Sequence, residues 1–522
     1  MNEQGHRCGC CGHHGMDRRS FMTAAIAGGA LAGAAFASIS EAGENPASLS
    51  GGPRVALNTA RQELLVQPVL TYRIPQRAKA TSWRDWGGVM TEADVDAEMK
   101  RIDSELAQVS KKCEFPLRFL PLAKAATPAE GKAIAATQAD VMLIYGAGGG
   151  GEILESLISP DRYNLLFLRH RSGPVYLWYE IASPRLLRKT VDELGQPGLE
   201  PADVMVDEPA DLAWRLRSLS ALKNTLGSKI LVVGGASGWG MGGQKAPQIT
   251  NEKWKIQFVD VSYDDLGKRI QSARNDTARV QACDERARQY LSQRGTSLKT
   301  DQGFVDRAFL LTSVFEDLMA EAGVSAMTIN NCMGTIMPMS ETTACLPLSV
   351  INDSGAMAFC ESDFVVIPSG ILLHNICGTP VFLNDPTYPH HGMVTVAHCT
   401  APRMMDGKRL EKAGLYTHFE SDYGAAPKVD MRLGQTITMI DPDFNAVRWI
   451  GFRGKILANP FHDICRSQID VSIEGDCDKL AREMVGFHWM LAYGDHLKEV
   501  GYALRKIGID WVNLSDGSPE TV

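Results

Sequence analysis

Apolar positions recur along this chain in two rhythms, and the change between them falls near Met393. Ahead of that point, short apolar runs alternate with stretches whose apolar residues return every three or four positions, the pattern of strands followed by helices. "TEADVDAEMKRIDSELAQVSKKC" (91–113) predicts a helix opened by Thr91 as N-cap. "ADVMLIYGAGGGGEILESLI" predicts a buried strand, a glycine loop and a helix, "NLLFLRHRSGPVYLWYEIA" two further strands, and "SKILVVGGASGWGMGG" a strand ending in glycines. From Trp254, "WKIQFVDVSYDDLGKRI" reads as strand, turn and helix. "DRAFLLTSVFEDLMAEAGVSAMTINNC" reads as a long amphipathic helix reaching Gly323, then a strand. Residues 369–376, "SGILLHNI", predict a short buried helix that begins near Pro368 and is stopped by Gly378. "TPVFLND" then predicts a strand ending at Asp385 and closed by Pro386.

After Met393 the runs become short, alternating and β-rich, and "CDKLAREMVGFHWMLAYGDHLKEVGYALRKIG" predicts one closing helix. The whole pattern predicts an α/β protein: two Rossmann-like parallel-sheet domains followed by a β-rich C-terminal domain with a closing helix. The expected divisions are 1–37 as a leader, 38–90 as linker and N-terminal extension, 91–243 and 244–392 as the α/β domains, and 393–522 as the β-rich domain that completes the site.

Composition narrows the picture. At 44% hydrophobic and 22% charged the chain can build packed cores. A net charge of −8 without a long basic run argues against a nucleic-acid partner, since phosphate binding needs concentrated Lys and Arg. Near the N-terminus, Arg18 and Arg19 precede a Gly/Ala-rich, weakly apolar run and an Ala-Phe-Ala site at 35–37. This resembles a twin-arginine export signal rather than an anchor, so the expected partner is the twin-arginine machinery, the expected location periplasmic or otherwise exported, and no membrane span remains in the mature chain. The upstream Cys8, Cys10, Cys11, His13 and His14 could bind a metal, but their spacing does not match an ordinary structural zinc site and they read as part of this disposable leader. The nine remaining cysteines are odd in number and irregularly spaced, which argues against a disulfide scaffold and reads as buried small hydrophobes.

The glycine loops do not read as nucleotide sites. "GAGGGG" (146–151) lacks a ribose-binding acid at the right distance, with Asp161 too near, and "GGASGWGMGG" (234–243) lacks the Lys-Ser/Thr of a phosphate loop. Both fit tight turns, or the lining of a small-molecule cleft.

The candidate chemistry lies in "AFCESDFVVIPSGILLHNICGTPVFLNDPTYP", where Glu361 precedes the expected helix and Asp385 ends the expected strand, at the rim where α/β sheets bind ligands. Two acids and an imidazole suit magnesium or manganese and leave positions for water and substrate. The candidate imidazoles are His398, His488 and the tandem His390–His391. Asp363 could orient a ligand, bind a hydroxyl or cap a helix. Tyr388, Trp449 and Trp489 could stack on a sugar ring, and Asn330 and Asn331 could border the cleft or form a turn.

"AFCESD…LLHNICGTPVFLND", with the later "FHWMLAYGD", resembles the central motifs of the L-fucose isomerase and L-arabinose isomerase group, over roughly residues 225–510. The resemblance implies Glu361, Asp385 and His488 as ligands of a divalent metal, manganese in that group, with the two acids also serving as the acid/base pair. It further implies a carbohydrate substrate, aldose–ketose isomerisation through an ene-diol, and a homotrimer or homohexamer. Pro368 departs from the group's pattern within the helix. Epimerisation or lyase cleavage through the same enolate, or carbohydrate binding without catalysis, are the alternative expectations.

Overall fold

The structure is a computed structural model that describes residues 57, 59–84, 86–176, 187 and 197–516. The export-signal reading and the early Cys/His cluster lie outside the described residues, as does most of the second strand expected in "VYLWYEIA". The description is of a mixed α/β chain with two parallel sheets and a C-terminal antiparallel barrel region.

In the first sheet Leu64–Thr71 is central. It pairs in parallel with Leu117–Phe119 and Ala123–Ala125 on one side and Val141–Gly146 on the other, followed by Tyr163–Leu168 and Val204–Val206. The N-terminal extension therefore contributes a core strand. The middle strands are buried along nearly their whole length, which is why they read as continuous apolar runs instead of alternating ones. The helix Glu92–Lys112 forms where its pattern predicts it. Thr91 accepts from the Asp94 N–H and the Asp94 carboxylate accepts from the Thr91 N–H, a capping box that fixes the start.

The second sheet, also parallel, runs in the order Met357–Phe359, Ala326–Ile329, Lys229–Val233, Gln257–Val261. Lys229–Val233, which precedes residue 243, lies here beside strands from far later in the chain. Gln302–Ala322 ends at Gly323 in the left-handed conformation, and Ile367–Cys377 ends likewise at Gly378, as the sequence predicts. Pro368 sits in the first turn of that second helix, where its missing N–H costs no helical bond.

Six strands then close on themselves: Thr436–Asp441, Trp489–Tyr493, Phe382–Pro386, Met393–His398, Ser467–Ser472 and Arg448–Ala458, which pairs back with the first. Every one of these pairings is antiparallel. Two expectations are corrected here. The strand carrying Asp385 belongs to this barrel and not to the rim of a parallel sheet. The expected closing helix is instead a helix Cys477–Glu483, a strand Trp489–Tyr493 and a helix Leu497–Lys506. The strand WMLAY is buried at every position. A short fully apolar run looks the same in a buried strand as in a buried helix, so periodicity could not separate the two.

Candidate metal centre

The site forms where the second parallel sheet meets one end of the barrel. Glu361 lies two residues past Met357–Phe359, at the carboxyl end of that strand. It and Ser362 take left-handed backbone angles, φ 64° and 51°, costly for residues with side chains. The turn is held from the glycine loop: the Ser237 N–H donates to the Ser362 carbonyl, and Ser362 Oγ to the Gly235 carbonyl. Within that loop a Cβ on Gly238 would lie 2.2 Å from the Gly243 carbonyl oxygen, so the two glycines let the loop fold tightly on itself. The loop therefore borders the turn that carries Glu361.

Three neighbouring barrel strands supply the other groups. Asp385 pairs with Ala397 and Asn384 with Trp489, so Asp385, His398 and His488 come to the same end of adjacent strands. His488 Nε2 lies 3.1 Å from Asp385 Oδ1 and 3.4 Å from Glu361 Oε2. His398 Nε2 lies 3.8 Å from Glu361 Oε1, and ligand atoms of Asp385, His398 and His488 lie within 4.8 Å of one another. Both histidines are buried, whereas the Glu361 and Asp385 side chains keep 35% and 34% of their surface exposed, which leaves the acids a solvent-facing side.

Asp363 stands behind His488, its Oδ2 2.7 Å from Nδ1. Its Oδ1 accepts from the N–H groups of Trp239 and Val365, so a buried carboxylate with three donors fixes the imidazole. Asp363 thus fixes the ring through Nδ1 and aims Nε2 at the two acids, so that once Nε2 gives up its proton its lone pair faces a cation held there, the arrangement usual for a metal-bound histidine braced by a carboxylate. Of the roles open to Asp363 in the sequence, orienting a ligand is the one its contacts match.

Electrostatics couple these groups tightly. Burial opposes charge on His488, but hydrogen bonds to Asp363, Asp385 and Glu361 outweigh it and push its pKa up to about 11. Burial likewise favours a protonated Glu361, yet the His398 and His488 imidazoles beside it hold it well below the usual carboxylate range. His398 Nδ1 meets Thr400 Oγ1 at 3.0 Å, while its Nε2 is buried without a hydrogen-bond partner. Two carboxylates, an anchored imidazole and a second imidazole with an unsatisfied nitrogen form a donor set that fits a divalent cation.

Other expected residues do not join them. Trp489 is fully buried and packs edge-on against Phe452, because strand alternation turns it from His488's side into the barrel interior. Trp449 is also fully buried, stacked on Trp254. Neither can stack on a sugar. Tyr388 is exposed and lines a surface cleft with Thr387, His390 and His462, and His390 and His391 lie outside the acid cluster. Asn330 and Asn331 are turn residues: Asn330 binds the Gly234 and Gly235 carbonyls, and Asn331 caps the following helical turn.

The aromatic surface at the site is one the sequence reading passed over. Trp239, in the glycine loop, meets His488 edge-on at 5.3 Å and stacks on Phe487 at 4.3 Å, and both aromatics are exposed. The signal was a lone tryptophan inside a glycine loop, where no core needs it. No family model matches this chain, and no curated protein matches it.

Proposed function

We propose that the protein is an exported, divalent-metal-dependent sugar isomerase of the kind its central motifs resemble, interconverting an aldose and a ketose. The observation that carries this reading is the convergence of Glu361, Asp385 and His488 from three separate segments, with Asp363 anchoring the histidine. Glu361, Asp385 and His488 would hold the cation, manganese by the resemblance. When bound, such an ion supplies positive charge beside the two substrate oxygens and stabilises the developing enolate.

The protein's own groups account for the rest. Glu361 and Asp385 stand on either side of His488, so a sugar's C1–C2 unit placed against their exposed edges meets a carboxylate at each end. One takes the proton from C2 and returns it to C1, and the other moves the hydroxyl proton, a pair of transfers worth roughly 10²–10⁴ each when well placed. His398 is within reach of Glu361 and can hydrogen-bond a substrate hydroxyl. Trp239 and Phe487 offer an apolar face for the ring carbons. The half-open acids fit a homotrimer or homohexamer whose neighbouring copy covers the cleft.

The test is incubation of the manganese-loaded protein with a panel of aldoses and ketoses in D₂O. Isomeric sugar carrying deuterium at the exchanged carbon supports the proposal. Release of smaller or unsaturated products would assign a lyase, and epimeric aldose an epimerase. Metal and sugar binding with no exchange at all would leave a binding protein.

A further inference from the structure

A second cluster of metal-ligating side chains lies directly behind the acid site and takes no part in the chemistry above. Cys345, Cys399 and His418 each offer a ligand atom within 4.8 Å of the others, and all three are buried. Cys465 packs against Cys345 and Cys399, and its thiol reaches that of Cys399. The four residues come from four elements: the start of the helix Cys345–Asp353, the residue after the strand Met393–His398, the end of the strand Lys412–His418, and the loop ahead of Ser467–Ser472.

The surrounding hydrogen bonds tie these elements together. Thr343, two residues before Cys345, donates through Oγ1 to the Ala425 carbonyl and accepts from the Ala425 N–H. Ser349, on the same helix as Cys345, donates to the carbonyl of Ala401, two residues past Cys399. Arg466 donates through Nε to the carbonyl of Thr417, which joins the neighbour of Cys465 to the neighbour of His418. The Cys465 carbonyl accepts from Gln468 Nε2.

Three thiols could be three small hydrophobes, but an imidazole among them has no apolar reason to be there. Its Nδ1 meets Ser421 Oγ at a long 3.4 Å. Two sulfurs and an imidazole nitrogen within reach of one another, with the Cys465 thiol against Cys399, offer the donor types of a tetrahedral site for a thiophilic cation.

We propose that Cys345, Cys399, Cys465 and His418 form a second metal site, distinct from the carboxylate centre, that binds zinc or a similarly thiophilic ion and fixes the back of the active-site wall. On binding, each thiol releases its proton to solvent as its sulfur takes the cation. Because His398 faces Glu361 and Cys399 faces this cluster, the ion would clamp the chain one residue from the catalytic pocket.

The test uses the full chain, purified under reductant, stripped with a chelator and titrated with Co²⁺ or Zn²⁺ alone. Glu361→Gln/Asp385→Asn, which removes the carboxylate centre, isolates the second site. The expected result is one equivalent of Co²⁺ giving an intense thiolate-to-cobalt charge-transfer band in this double variant. That band is expected to disappear on further Cys399→Ser or Cys345→Ser substitution. X-ray absorption at the zinc edge of the otherwise unaltered protein, which needs no variant to fold, should show sulfur neighbours at about 2.3 Å. Absence of the band, its persistence after either cysteine substitution, a zinc shell of oxygen and nitrogen only, or a native disulfide within the cluster would each overturn the proposal.

Discussion

Asp363 acts at one remove from the chemistry, and its replacement separates orientation from coordination. In Asp363→Asn the buried partner of His488 Nδ1 loses its charge, and the amide can turn an N–H toward the ring, favouring the tautomer whose Nε2 carries the proton. Loss of such a partner typically costs 10–100-fold in metal affinity. Manganese titration by calorimetry should show a loss of that size for Asp363→Asn, against near-complete loss for Glu361→Gln. Trp239→Ala should behave oppositely, leaving manganese affinity within about threefold while raising the KM for sugar, since Trp239 offers a ring face and no ligand atom. The individual acids were legible in the sequence because each punctuates an apolar run. Trp489 is not legible as core from the sequence, because a residue next to a ligand on a strand points the opposite way and its apolar run suits helix as well as strand.

The helix Ile367–Cys377 holds the two halves of the site at a fixed distance. A Cβ on Gly370 would meet the Phe359 ring at 2.5 Å and the Met490 methyl at 2.7 Å, one residue type from the strand before Glu361 and the other from the strand after His488. Gly370→Ala should therefore cost about 1–3 kcal/mol in denaturant unfolding and weaken manganese binding as well, although it touches no ligand. The same helix buries His374, whose Nδ1 has no partner. Burial, helped by the Arg61 charge, lowers its pKa to about 4. Between that value and the unfolded value near 6.5 the unfolded chain binds the extra proton, so the stability is fully present above pH 6.5 and is lost as pH falls toward 4. The loss is roughly 3 kcal/mol at about 1.4 kcal/mol per pH unit. Unfolding free energies measured across this window should fall for the unaltered chain and stay flatter for His374→Gln. Elements with explicit punctuation were readable in advance: Thr91 with Asp94, and Gly323 and Gly378 as helix stops. The stretch 477–508 was not, because its turn signals are weak and its central apolar run suits either structure.

Across the whole molecule, the candidate metal centre rests on two architectures meeting. The parallel sheet delivers Glu361 on a strained turn, and the barrel delivers Asp385, His398 and His488 from one end of three neighbouring strands. Local patterns predict most of the barrel strands but not Trp489–Tyr493, and barrel closure depends on Arg448–Ala458 pairing back onto Thr436–Asp441 and on Trp489–Tyr493 inserting beside Phe382–Pro386. These are long-range pairings that no local period encodes, so the site's two-sided origin emerges only in three dimensions. Among the described residues no helix is long and apolar enough to cross a membrane. The central claim is that Glu361, Asp385 and His488 chelate one divalent ion, and diffraction data collected at the manganese absorption edge from Mn²⁺-soaked crystals test it most directly. The account predicts one anomalous peak within about 2.0–2.6 Å of a Glu361 oxygen, an Asp385 oxygen and His488 Nε2. A manganese-saturated crystal with no peak among those three side chains would contradict it.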